Sequence, residues 1–251
     1  NETITTACAA STHAIGYATR LIQMGYADVI VSGGAESVMS PVGTAGFQNM
    51  TALSSSGRSM PFDKDRDGFM MTEGSATLIL EEMESAKARG VHIYGEVLGS
   101  GSTADAHHIT APAPGGDGAL RCMQLAIEDA GLSSNDIASI NAHGTSTPLN
   151  DAAEAEALSK LFGDNGPPVT STKGITGHAL GAAGAIEATA VLLSFIHKQI
   201  PPTSGFTTPD PEMAEFNLVT GSPQDWEPGP SMSNSFGFGG HNGSIVLAPT
   251  E

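Results

Sequence analysis

The chain of 251 residues is 39% hydrophobic and 15% charged, with 31 Gly and 15 Pro, which supplies a core to bury and excludes disorder over most of its length. Ten Lys plus Arg against 27 Asp plus Glu give a formal net charge of −17, so the basic footprint needed for nucleic acid or an anionic membrane surface is missing. No uninterrupted apolar run approaches about 18 residues, no export leader is visible, and the two cysteines, Cys8 and Cys122, cannot form a disulfide framework; a cytoplasmic protein is expected.

In chain order, Ile4 to Ala7 reads as a short buried strand, and a helix rich in small residues follows from Cys8 to Met24, ending at Gly25. Asp28 to Ser32 has strand length and composition, closed by Gly33-Gly34. Ser40 to Asp67 lacks periodicity and reads as a long loop, a length that in compact domains usually carries function. Ser75 to Glu81 is strand-like, and Met83 to Arg89 is a helix with Gly90 at its natural stop. The alternation then repeats. Ile93 to Gly99 is a strand, Ala104 to Gly118 an irregular loop, and Asp117 to Ala130 a helix with Leu120, Met123, Ile127 and Ala130 on one face. Strands are expected at Ile137 to Ala142 and Val169 to Thr172, with a helix over Asp151 to Phe162 between them. Ala179 to His197 is a helix whose first turns, Gly181-Ala-Ala-Gly184, allow close backbone approach. Met232 to Ser235 and Ser244 to Leu247 read as paired strands. The order strand, polar turn, small-residue helix occurs at Ile4 to Met24 and again at Val169 to His197, an internal echo. The pattern is α/β.

Four residues can carry chemistry. Cys8 sits where a strand gives way to a helix, between alanines; a helix N-terminus favours thiolate, although an isolated cysteine is also consistent with an inert buried thiol. His143 lies just past a strand in Asn141-Ala-His-Gly-Thr-Ser-Thr147, where α/β proteins place their sites. His178 and Lys173 share the loop Ser171-Thr-Lys-Gly-Ile-Thr-Gly-His178. Each histidine alone could be structural, but together with Cys8 they favour nucleophilic catalysis with acid/base help. Gly237-Phe-Gly-Gly240 lacks the Lys-Ser/Thr ending of a phosphate-binding loop and suits a mobile turn carrying Phe238. His107-His108 beside Asp105 has no further ligand at metal spacing, so no catalytic metal is expected. His13, His92, His197 and His241 read as structural, and Cys122 as core.

Thr6-Ala-Cys-Ala-Ala-Ser11, Asn141 to Thr147 with Asp151, Thr172-Lys-Gly-Ile-Thr-Gly-His178 followed by Leu180-Gly-Ala-Ala-Gly-Ala-Ile-Glu187, and Ser233-Asn-Ser-Phe-Gly-Phe-Gly-Gly240 resemble the β-ketoacyl-[acyl-carrier-protein] synthases. Phe62-Asp-Lys-Asp-Arg-Asp-Gly-Phe69 and Glu73-Gly74 fit the same family, and the elongating type II enzymes are the nearest likeness. The resemblance implies a thiolase-like layered α-β-α-β-α fold, here the end of the N-terminal half (residues 1–90) and the complete C-terminal half (residues 91–251). It implies that Cys8 takes an acyl chain from acyl carrier protein, with the backbone N–H groups of Cys8 and Phe238 as oxyanion hole. His143 and His178 would stabilise the enolate formed when malonyl-carrier loses carbon dioxide.

By the same resemblance, Lys173 and Glu187 support the histidine pair, and Thr145 and Thr147 hydrogen-bond the phosphopantetheine arm of the carrier. Phe238 would be a gate, with Phe236, Phe47, His108 and Thr110 also lining the substrate path and Asp105 to Thr110 forming a second mobile loop. Asn141, Glu187, Ser233 and Asn234 match a structural cation site of some relatives. No cofactor beyond the carrier-borne phosphopantetheine is implied, and a homodimer is. Members of the family begin well before the nucleophile, so a first α/β half and much of the basic docking surface are expected to be missing, leaving local cations such as Arg20, Arg58, Lys64 and Arg66. His241 replaces a Thr common in the family, and Thr51 stands where Arg is frequent. A polyketide or mycolate-type ketosynthase and a non-catalytic chain-length-factor-like partner are the alternatives; such partners usually lack the nucleophile, which argues against the latter.

Overall fold

The computed structural model describes residues 1–163 and 165–250. Five strands form a mixed sheet in the order β3-β9-β8-β4-β5: β3 (Glu96–Ala104), β9 (His241–Ala248) and β8 (Ser231–Gly237) are antiparallel, whereas β8, β4 (Ser139–Asn141) and β5 (Val169–Thr170) run parallel. A separate antiparallel pair joins β1 (Val29–Glu36) to β2 (Gly74–Glu81). Between the two sheets lie α1 (Ala10–Gln23) and α7 (Ala183–His197), which pack on each other, on β1 and β2 to one side and on β3, β8 and β9 to the other. The opposite face of the five-stranded sheet is covered by α4 (Asp117–Asp129), which packs on β3 and β9 and is flanked by α5 (Pro148–Phe162). The layers therefore run α-β-α-β, and the outer face of β1–β2 exposes Val29, Val31 and Ile79.

Periodicity explains why these elements form. Along β2 every second residue is exposed, and the inward set Ala76, Leu78 and Leu80 joins Ile15, Ala188, Val191, Phe195, Ile245 and Leu247 in the central core. On the other side of the large sheet, Met123, Ala126 and Ile127 of α4 meet Ile140, Leu158, Met232 and Val246. The small residues at the start of α7 do what their sequence implies. A Cβ on Gly184 would stand 2.0 Å from Thr12 Oγ1 and 2.9 Å from the Thr12 nitrogen, so α1 and α7 approach more closely than alanine permits.

Several expectations are corrected. Ile4 to Ala7 is not a strand, because no neighbouring strand among the described residues takes up its backbone hydrogen bonds; Ala7–Ala9 instead forms a 3-10 turn leading into α1. The Ser40 to Asp67 loop contains α2 (Pro41–Asn49), with Ser40 Oγ accepting the Gly43 N–H and Pro41 in the first turn, a cap signal readable from the sequence. The strand expected over Ile93 to Gly99 is displaced to Glu96–Ala104, where β9 provides its partner. Two short pieces, β6 (Gln199–Ile200) and β7 (Gln224–Asp225), pair with each other and were not expected. The remaining helices are α3 (Met83–Arg89), as expected, and the single turn α6 (Lys173–Thr176), read from sequence as loop. Leu180–His197 is long and apolar enough to cross a membrane by length and composition, yet half of it is buried inside the protein, around the core residues Ala185, Ala188, Val191 and Phe195.

Candidate active site

Cys8 and His178 stand just ahead of the two central helices, Cys8 in the turn before α1 and His178 before α7, so the internal echo in the sequence corresponds to two helices that each follow a reactive residue. His143 follows β4, and Lys173 opens α6 after β5. Cys8, His143, Lys173, His178 and Glu187 are all buried. Cys8 Sγ and one ligand atom from each of His143 and His178 lie within 4.8 Å of one another, and the two imidazoles meet edge-on with ring centres 5.2 Å apart. Phe69 packs edge-on against His178 at 5.2 Å. A cavity of about 290 Å³ opens onto this group and is lined also by Asp105, Thr110, Thr145, Thr147, Phe236 and Phe238.

The backbone N–H groups of Phe238 and of Cys8 itself face Sγ. This needs close approach of two distant segments, and Gly237 permits it: a Cβ there would lie 3.0 Å from the Cys8 nitrogen and from the Thr6 carbonyl. Ala7, immediately before the nucleophile, adopts φ of 51°, a left-handed conformation that costs a non-glycine residue about 1–2 kcal/mol and here turns the chain sharply at Cys8. The resting state of Cys8 differs from the thiolate expected at a helix start. Burial dominates and pushes the thiol up to about 11, outweighing the Phe238 N–H and the Lys173 charge that lower it.

Lys173 Nζ donates to the His143 carbonyl at 2.6 Å and to the Glu187 carboxylate, which joins three elements in one buried ion pair. Burial, then the Lys173 charge, holds the pKa of both His143 and His178 well below the usual imidazole value. Both rings are therefore neutral at neutral pH, each able to donate one hydrogen bond and accept another. The Cys-His-His spacing would also accommodate a soft cation, but a protonated thiol and the neighbouring ammonium group oppose one. Of the four residues expected at a structural cation site, Asn141 Oδ1 and Glu187 Oε2 are buried without hydrogen-bond partners, but Glu187 already pairs with Lys173, Ser233 accepts from the Asn141 amide and Asn234 Oδ1 accepts from Ser244, a set that does not fit a cation.

Two acids of α5 shape the loop that carries His143. Glu154 accepts the N–H groups of His143 and Gly144, each at 2.8 Å, and Asp151 accepts those of Thr145, Ser146 and Phe62. Glu154 was missed in the sequence, although Asp151 and Glu154 share a helical face with Ala155 and Leu158, a pattern in which acids interrupt an otherwise apolar stripe. Burial raises the Glu154 carboxyl from 4.5 to about 7. Below pH 4.5 both folded and unfolded states hold this proton; between about 4.5 and 7 the unfolded state releases it first, so stability falls as pH rises through that window and is flat above it. Glu154→Gln is expected to be less stable overall, since an amide cannot accept both N–H groups. Its stability should nevertheless fall less between pH 5 and 7, by up to about 3 kcal/mol, which urea titrations of both proteins at several pH values would measure.

Two residues expected at the substrate path, His108 and Phe47, do not line this cavity. His108 is exposed, and its Nδ1 accepts the N–H groups of Thr110 and Ala111, which turns the ring back onto its own loop. Phe47 packs edge-on behind Phe69 at 5.5 Å rather than lining the cavity. Of the local cations, Arg20 pairs with Asp129 and Arg66 with Asp210, both at 2.7 Å. Cys122 is fully buried in α4, as expected of a core thiol.

Comparison with known proteins decides the family. The "Beta-ketoacyl synthase, N-terminal domain" family matches residues 1–86, and the "Beta-ketoacyl synthase, C-terminal domain" family matches residues 94–207. The chain belongs to the β-ketoacyl synthases. It is 48% identical over 254 aligned residues to 3-oxoacyl-[acyl-carrier-protein] synthase 2 of Synechocystis sp., covering 98% of this chain and 61% of that protein. A β-ketoacyl synthase from Burkholderia phymatum superposes with a TM-score of 0.94 at 40% identity, over 98% of this chain and 60% of the other. A type II polyketide synthase ketosynthase, solved with its acyl carrier protein, gives 0.95 at 36% identity, over 98% and 62%. The chain thus carries the ketosynthase, thiolase-like fold and spans about three fifths of the length of the relatives it matches.

Proposed function

We propose that this protein is a 3-oxoacyl-[acyl-carrier-protein] synthase that extends acyl chains in fatty acid synthesis by decarboxylative Claisen condensation. The observation that carries the reading is the meeting of Cys8, His143 and His178 within 4.8 Å beneath one cavity, with two backbone N–H groups at Sγ. In the first stage Cys8 Sγ attacks the acyl thioester of the carrier; the thiol proton passes to a neutral imidazole and from there to the departing pantetheine thiolate. The N–H groups of Cys8 and Phe238 hold the tetrahedral oxyanion. In the second stage the malonyl thioester loses carbon dioxide, and its enolate oxygen takes hydrogen bonds from His143 and His178. The enolate carbon attacks the Cys8 thioester, the C–S bond breaks, and the 3-ketoacyl chain leaves on the carrier while the released Cys8 thiolate takes up a proton from solvent.

Thr145 and Thr147, whose hydroxyls lie 2.8 Å apart in the cavity wall, would hold the phosphopantetheine arm, and Phe238 would act as gate. Lys173 and Glu187 position the histidine pair. Acyl carrier protein is the proposed partner; the solved ketosynthase–carrier relative supports it. No further cofactor, no nucleic acid and no membrane enter this reading. The free buried cysteines support a cytoplasmic setting, and the exposed apolar side chains of β1–β2 support an assembly, proposed as a homodimer. Incubation with acyl- and malonyl-loaded carrier should release carbon dioxide and yield a 3-ketoacyl product two carbons longer than the primer; failure to form either product would refute the reading. A polyketide-type ketosynthase is the second reading, favoured by the 36% identical solved relative, and product analysis with repeated extension would distinguish it.

A further inference from the structure

The two N–H groups that face Sγ belong to segments at opposite ends of the chain, the turn Ala7–Ala9 and the turn Phe238–Gly240. Catalysis at Sγ requires their separation to be held to a fraction of an ångström. His13, one turn into α1 and half-buried, reaches both sides. Its Nε2 lies 3.0 Å from the Asn242 carbonyl, which can only accept, so Nε2 carries the proton. In the neutral ring Nδ1 then accepts from the Thr6 hydroxyl at 2.7 Å, two residues before the nucleophile. Burial lowers the pKa of His13, which keeps the ring in the one form that satisfies both contacts. His13 thus bonds to the residues that flank the two turns, Thr6 before the first and Asn242 after the second, while its neighbour Thr12 links α1 to Ser235 of β8 at 2.7 Å.

The segment reached at Asn242 is itself laced to the second loop at the cavity mouth. Asn242 Nδ2 donates to Asp105 Oδ1 at 2.7 Å, the Asp105 N–H donates to the Gly240 carbonyl at 2.9 Å, and the Gly239 N–H donates to the Ile109 carbonyl at 2.7 Å. Displacing one loop therefore pulls on the other, and both pull on Asn242. We propose that His13 is a positioning residue that ties the nucleophile turn to this two-loop mouth, so that the Cys8 and Phe238 N–H groups reach Sγ together only when the mouth is closed. The coupling stands on these contacts; its effect on acyl transfer rests on the condensing reading above.

The test compares wild type with His13→Ala and His13→Gln in the protein as its gene encodes it. Amide hydrogen exchange at residues 238–242 should accelerate about tenfold in His13→Ala while exchange in the core of β8 and β9 stays as in wild type. Transfer of an acyl group to Cys8 should slow about tenfold, less than the roughly 10²–10³ that follows outright loss of an oxyanion donor. Decarboxylation of malonyl-carrier, which uses His143 and His178, should be unchanged. A variant that was merely less well folded would lose both activities in proportion. His13→Gln, whose amide can still donate toward the Asn242 carbonyl, should recover part of the transfer rate. Unchanged exchange at residues 238–242 in His13→Ala, or parallel loss of transfer and decarboxylation, would overturn the proposal. If wild type neither transfers nor decarboxylates, the condensing reading fails, and hydrogen exchange still decides the coupling.

Discussion

Cys8→Ala is expected to abolish acyl-enzyme formation and to reduce condensation by at least about 10³-fold, because among the described residues no other thiol lines the cavity beside the two histidines. Intact-mass spectra taken after incubation with acyl-carrier should show an added acyl group on wild type and none on the variant. Equal adducts on both would end the assignment of Cys8. Cys122 gives an internal control: it is fully buried, its Sγ donates to the Gly101 carbonyl at 3.3 Å, and Cys122→Ser should acylate as wild type does. The raised thiol pKa sharpens the expectation. At about 11 the resting thiol is protonated at neutral pH and the imidazole that takes its proton is already neutral, so acylation should stay level across neutral pH and show no rise from a thiol titrating near pH 7. The histidines will not mask this, since their lowered pKa values place their own titration on the acid side.

Lys173→Met should be the most destabilising single change in the site. It leaves the Glu187 carboxylate buried without its counter-ion and removes the donor to the His143 carbonyl. Breaking a buried pair from one side costs about 3–5 kcal/mol, equivalent to a fall in Tm of roughly 10 °C for a domain of this size. Condensation should fall further than stability predicts, because the His143 loop loses its anchor. The double variant Lys173→Met/Glu187→Leu discriminates between the two effects: removing both charges should return most of the stability and little of the activity. Wild-type stability in the single variant, measured by urea denaturation, would show that the pair does not act as described.

Much of the site is legible in the sequence. Cys8, His143, Lys173 and His178 all stand at junctions between a strand or turn and the next element, where the chain itself marks them with glycines, hydroxyls and small neighbours. What escaped were residues that act through the backbone or through shape. Glu154 looks like an ordinary solvated helix acid until α5 is laid against the His143 loop. His13 looks like a helix histidine until β9 brings the Asn242 carbonyl to it. His108 and Phe47, expected on the substrate path, make contacts that side-chain identity does not announce: His108 accepts a hydrogen bond within its own loop and Phe47 packs on Phe69.

Length, patterning and charge by themselves determined an α/β chain with a large acidic excess, the positions of its main helices and strands, and the residue types able to do acyl chemistry, because these depend on local periodicity and on side-chain identity. Tertiary structure alone decided which backbone groups find partners, and so denied Ile4 to Ala7 its strand and seated α1 against α7 through Gly184. It also decided protonation. Desolvation is a property of the surroundings and not of a residue, and it made Cys8 a thiol, the two histidines neutral, and Glu154 a carboxyl that titrates near 7.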